Sequence, residues 1–211
     1  MGFEMNIKRN LLGIIFIPFC FGFSYAFLER VFALNVLSFS ELVFMAGLLT
    51  YLPIHFKVIK PRFLATFGHE MTHAFWGIFF GAKIKELRVN KNSGFVKLTK
   101  SNFIIRLSPY FFPFFTFIVM SLTIFFKPGY FNLVLFFTGF TLALHIVSTL
   151  ESLKNRQPDI YKTGLVFSLP IIYVSNLAVF VVVLDFVSAQ KISLYRFISD
   201  GIHHTLQIFI V

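Results

Sequence analysis

Cysteine is almost absent from this sequence of 211 residues, where Cys20 stands alone. A single thiol excludes an intrachain disulfide and any cysteine-rich zinc site. Charge is scarce as well: 13% of residues are charged, against about a quarter in ordinary soluble domains. Acidic residues number only nine. There is no internal repeat and no low-complexity segment, so solenoid and disordered architectures drop out. What is present is apolar. Hydrophobic residues make up 57% of the chain and 33 residues are phenylalanine, with a mean hydropathy of +0.80. That balance belongs to membrane proteins, and the phenylalanines suit broad lipid-facing surfaces. The net charge of +10 would suggest nucleic acid in a soluble protein. Here the Lys and Arg residues lie between apolar runs, where they meet lipid headgroups and water, so no nucleic-acid partner is expected.

The apolar runs organise the chain. They cover 11–28, about 36–55, 63–81, 103–126, about 130–150 and 164–187. Roughly 20 helical residues cross a hydrocarbon core, so the pattern predicts an all-α polytopic membrane protein with about six transmembrane helices in a single embedded domain, 1–211. KPG (127–129) forms a tight turn between the fourth and fifth runs. KIKELRVNKNSGFVKLTK (83–100) departs from the pattern: two short stretches rich in charge and β-formers flank the turn signal NKNSG, which reads as a β-hairpin. The N-terminus carries Lys8, Arg9, an apolar run and SYA (24–26), as a secretory signal would. The run is longer than a usual signal core, so a retained first helix is expected. The mixed tail 190–211, with His203 and His204, reads as interfacial.

Ionisable groups are costly in such a setting and mark function when they occur. The stretch FGHEMTHAFWGIFFG (67–81) holds His69, Glu70 and His73 in the pattern H-E-x-x-H. Residues four apart lie on one helix face, about 40° out of register, so both imidazoles can reach one ion. Glu70, next to the first ligand, is placed to act as general base on a metal-bound water while zinc supplies Lewis acidity. Counting by fours gives Ala65, His69, His73, Gly77 and Gly81, a drifting stripe of small residues and ligands. Small residues admit another backbone, either a neighbouring helix or a substrate strand.

An H-E-x-x-H motif in an apolar helix, a basic hairpin after it and then SPYFFP (108–113) resemble the site-2 protease family of intramembrane zinc metallopeptidases. The resemblance covers roughly 63–170. It implies a three-helix catalytic core, a membrane-associated hairpin and a third ligand, an aspartate in a motif N-x-x-P followed by L-D-G. NRQPDIYKTG (155–164) matches in Asn155 and Pro158, with Asp159 following at once, but no L-D-G is present. No PDZ-like insertion is visible, as in the compact bacterial branch, which implies a multi-pass protein of the bacterial inner membrane.

Two residues compete for the third ligand position. The order of runs returns 151–163 to the hairpin's side of the membrane, and from there Asp159 can dip toward the H-E-x-x-H helix, with Pro158 favouring an extended entry. His145 lies on the returning helix, about a turn and a half from the same side. With the resemblance added, Asp159 ranks first and His145 second.

The hairpin has two readings, as an edge that takes an extended substrate by strand addition or as an amphipathic ribbon on the headgroups. Its Lys83, Lys85, Arg88, Lys91, Lys97 and Lys100 favour the cytoplasm by the positive-inside rule, against Lys57, Lys60 and Arg62, which would then lie outside. The expected activity is zinc-dependent hydrolysis of peptide bonds in membrane-associated proteins. The alternatives are a non-proteolytic zinc-binding membrane protein and a small transporter, the latter without support from repeat symmetry.

Overall fold

The computed structural model describes residues 2–32, 38–91, 93–155, 157–188 and 193–210, with side chains from residue 9 onward. Asn92 of the turn signal, Arg156 of the NRQPDIYKTG stretch and residues 189–192 of the tail region lie outside the described residues. In chain order the helices are α1 (Gly2–Phe32), α2 (Phe39–Pro53) with a π-helical turn Ile54–Val58, and α3 (Arg62–Phe79). The strands β1 (Ile84–Val89) and β2 (Gly94–Leu98) follow, then α4 (Phe103–Leu107), α5 (Phe114–Ser121), α6 (Phe131–Lys154), α7 (Pro158–Thr163), α8 (Leu165–Val187) and α9 (Leu194–Ile210). The fold is thus helical with one small antiparallel hairpin, in which Leu87 pairs with Val96 and Val89 with Gly94.

Among the described residues, four helices are long and apolar enough to cross a membrane: Arg9–Phe32, Phe39–Val58, Pro128–Lys154 and Leu165–Val187. The pair Phe103–Tyr110 and Phe114–Ile124, bent by 76°, makes a fifth if it counts as one span. The expectation of about six counts that pair as one span and adds the run 63–81. The difference falls on α3, where Arg62, His69, Glu70 and His73 stand within 18 residues and lower the hydropathy. The bend in the 103–126 run follows from Pro109 and Pro113, which remove backbone donors and interrupt the helix.

The chain divides into two compact units. One comprises 1–38 and 156–211. In it, Phe23 and Ala26 of α1 pack with Leu177 and Val181 of α8 and Phe197 of α9. Gly13 lies against the backbone of Val166, and Gly22 against Thr205 and Gly201. These small residues bring helix backbones together where lipid offers little hydrophobic drive for association. Arg30 of α1 pairs with Asp200 of α9, and Glu29 with His204 at 3.3 Å. The tail is therefore a helix packed on α1, and His204 meets Glu29 and the ring of Tyr25.

The other unit, 39–155, contains the hairpin and α2 to α6. Gly47 of α2 sits on the Phe136 backbone of α6, and Gly139 of α6 on the Phe44 backbone of α2. This reciprocal pair sets the close crossing of α2 and α6, filled by Tyr51, Ala143, Leu144 and Val147. At the end of α2, His55 is buried, with Nδ1 2.9 Å from the Tyr51 hydroxyl and Nε2 3.2 Å from Glu151 Oε1.

Candidate metal centre

Helix α3 begins after Pro61 and ends in a complete glycine cap. Gly81 has φ +72°, a conformation that glycine adopts without a Cβ penalty. Its N–H donates to the Ile78 carbonyl and that of Ala82 to the Gly77 carbonyl, both at 2.8 Å, which satisfies carbonyls the helix end would leave open. The cap sends the chain directly into β1. The hairpin is thereby tied to the helix that carries His69, Glu70 and His73.

His69 and His73 lie one turn apart on α3, with ring centroids 4.9 Å apart at 82°. Glu70 and His73 are buried, and His69 is half-buried. The Nδ1 atom of His73 is 2.7 Å from the carbonyl oxygen of Ile105. A carbonyl can only accept, so Nδ1 carries the proton and Nε2 holds the lone pair that a metal requires. This carbonyl–imidazole pairing is the outer-shell contact by which proteins orient a ligating histidine.

The Ile105 carbonyl is itself held. Asn102 caps α4, its side-chain oxygen accepting from the Ile105 N–H at 2.8 Å. The buried Ser108 hydroxyl donates to the same carbonyl at 3.0 Å. Tyr110, fully buried, sets its ring 5.4 Å from that of His69, edge to face. Trp76 and Phe75 of α3 meet Phe111 and Phe112 at centroid distances of 5.4–6.2 Å, so aromatic contacts fasten the 108–112 turn to the helix. Sequence alone does not mark the Asn102–Ile105 contact, Ser108 or Tyr110 as site residues; the prolines of SPYFFP, which break the helix there, are the available signal.

The notch at Gly77 in the stripe of small residues is filled by Leu98 of β2. Hairpin basic residues Lys83, Lys85, Arg88, Lys91, Lys97 and Lys100 are all exposed.

Asp159 belongs to the first unit. The segment expected as a loop is in part a short helix, α7, which places Asp159 in the first turn and half-buried. Gln157 before Pro158 is extended, with φ −56° and ψ 135°, as the proline ring demands of its predecessor. Thr163 donates its hydroxyl to the Asp159 carbonyl at 2.8 Å, and Gly164, at φ +102°, ends the turn. His145 lies in the second half of α6, half-buried.

A polytopic helical membrane protein with two histidines one turn apart, one of them oriented through Nδ1, and a buried glutamate between them fits the class of membrane-embedded metallopeptidases. The chain is a member of the peptidase M50B-like family, whose model matches residues 41–184. That agrees with the resemblance to site-2 proteases, and it makes the protein an integral membrane protein of the intramembrane metalloprotease type. Such peptidases are typically zinc-dependent and act on protein substrates. No curated protein and no solved structure matches the chain.

Proposed function

We propose that this protein is a zinc-dependent intramembrane endopeptidase that hydrolyses peptide bonds of membrane-associated proteins, with a catalytic core over 63–170. His69, His73 and Asp159 supply the ligands and Glu70 is the general base. Two imidazoles and one carboxylate are a donor set that could hold a metal ion, and three protein ligands leave a fourth position for chemistry. The observation that carries the reading is the His73 Nδ1 contact with Ile105 O. It fixes the tautomer and leaves the Nε2 lone pair for a metal, as outer-shell contacts do for ligating histidines.

Bound zinc would supply Lewis acidity toward water and the scissile carbonyl. The remaining work falls to side chains of α3 and their supports. Glu70 accepts the proton of the attacking water at its carboxylate, holds it away from bulk solvent, and returns it to the departing amide nitrogen. His73 stays in one tautomer throughout because its Nδ1 proton is engaged by the Ile105 carbonyl. Glu70 is buried with Gly94 of the hairpin against it, which limits water access to the carboxylate.

Glu70→Gln is the deciding experiment, because it removes the base and no ligand. Zinc content should remain at wild-type level while cleavage falls by at least about 10²-fold. A variant that keeps full activity would remove Glu70 from the reaction. A protein without zinc that still cleaves would remove the metal.

A further inference from the structure

The hairpin and the base touch in a way that neither the motif nor the family explains. Residues Gly94, Val96 and Leu98 of β2 are its half-buried positions, alternating with exposed Phe95 and Lys97. Two of the three meet α3. A methyl group on Gly94 would stand 2.7 Å from Glu70 Cγ, 2.8 Å from Thr66 Cγ2 and 3.1 Å from Glu70 Oε1. A methyl group on Gly77 would stand 2.7 Å from Leu98 Cδ1. The strand thus lies along the helix, with bare backbone at the base and Leu98 in the notch one end further on. Separations under 3.0 Å are essentially never seen for real Cβ atoms, so a side chain at position 94 must displace either the strand or both Glu70 and Thr66.

We propose that Gly94 is a positioning residue for the general base: the side-chain-free backbone at the start of β2 abuts Glu70 and confines it to one rotamer. The inference rests on the reading of Glu70 as the base. A glutamate has three rotatable bonds and loses rotamer freedom when it is fixed. Paying that cost during folding, through the strand contact, spares the reaction from paying it at each turnover. The Schellman cap at Gly81 and the Leu98 contact at Gly77 both fasten the hairpin to the C-terminal end of the helix, and from there β2 runs back along the helix to bring Gly94 to Glu70.

The test uses the full-length, zinc-loaded protein and three measurements: zinc content, kinetics on a cleavable membrane substrate, and labelling of Glu70 by dicyclohexylcarbodiimide, an apolar carboxylate reagent, read by peptide mass spectrometry. Gly94→Ala should keep its zinc and lower kcat by about 10- to 100-fold with KM within about twofold, while Glu70 labels several-fold faster than in wild type. Wild-type kcat in that variant overturns the proposal, and so does a kcat loss without faster labelling. Should Gly94→Ala lose its zinc, Leu98→Ala replaces it, since it loosens the strand without adding an atom near Glu70. The same two effects are then expected, and wild-type kcat or wild-type labelling in Leu98→Ala overturns the proposal. Glu70→Gln separates the two levels. If it cleaves like wild type, the base assignment falls; if it is inactive while Gly94→Ala stays fully active, only the positioning role falls.

Discussion

Helices α3 and α8 are built on opposite principles. Helix α8 has 23 residues and a mean hydropathy of 2.3 over its most apolar window, and its buried positions are mostly large and apolar, among them Phe167, Ile172, Leu177, Val181 and Val183. Many interchangeable contacts hold it, and lipid tolerates most of its surface. Helix α3 has 18 residues and buries Gly68, Glu70, Thr72, His73, Ala74 and Gly77, all of them small or polar. Few of those gain much from leaving water, so α3 depends on named partners: the Gly81 cap, the Ile105 carbonyl, the Leu98 side chain and the Gly94 backbone. A helix specified by hydropathy degrades gradually. One specified by single contacts fails at single atoms.

The contrast should be sharpest at the ligands. His69→Ala or His73→Ala should lose most of the zinc and with it the cleavage, as metal analysis of the purified variants would show; retention of stoichiometric zinc in both would place the metal elsewhere. Asp159→Asn keeps the shape of the side chain and gives up its charge, so zinc affinity should fall and cleavage nearly vanish, while His145→Ala stays close to wild type in metal content. Reversal of that pair would move the third ligand into α6.

A step further from the metal, Asn102→Ala removes the cap that holds Ile105. It should cost about 1 kcal/mol of stability and weaken zinc binding by roughly tenfold, the lower range for outer-shell losses. A chelator competition series measures the shift, and an unchanged affinity would mean that the Asn102 cap does not set the Ile105 carbonyl that meets His73. The smallest effect belongs to α8. Val183→Ala, at a fully buried position, should cost on the order of 1 kcal/mol and leave cleavage per zinc-loaded molecule unchanged. A loss of turnover there would erase the distinction between the two helices.

How much of this was readable in advance differs from residue to residue. The hairpin at 83–100 was legible because NKNSG interrupts two β-forming stretches and the hydropathy pattern fails there. The helical content of 158–163 was not, since six residues lie below the length at which local propensity specifies a helix in water. The expectation of about six spans includes the run 63–81, whose aromatic and aliphatic residues carry it while His69, Glu70 and His73 lower its hydropathy, so α3 is not among the four long apolar helices of the described residues.

Local periodicity explains what sequence alone determined. The placement of His69 and His73 on one face follows from 3.6 residues per turn, and the four long spans follow from their own hydropathy. Neither needs a partner element. What only the tertiary structure decided involves backbone: the Ile105 carbonyl on His73, the bare Gly94 against Glu70, and Leu98 rather than a second helix in the notch of Gly77. Every residue has a carbonyl and several glycines are small enough to admit a neighbour, so residue identity cannot mark the one that is used. The bend at Pro109 and Pro113 and the cap at Gly81 choose it, by bringing one turn and one strand onto the same helix.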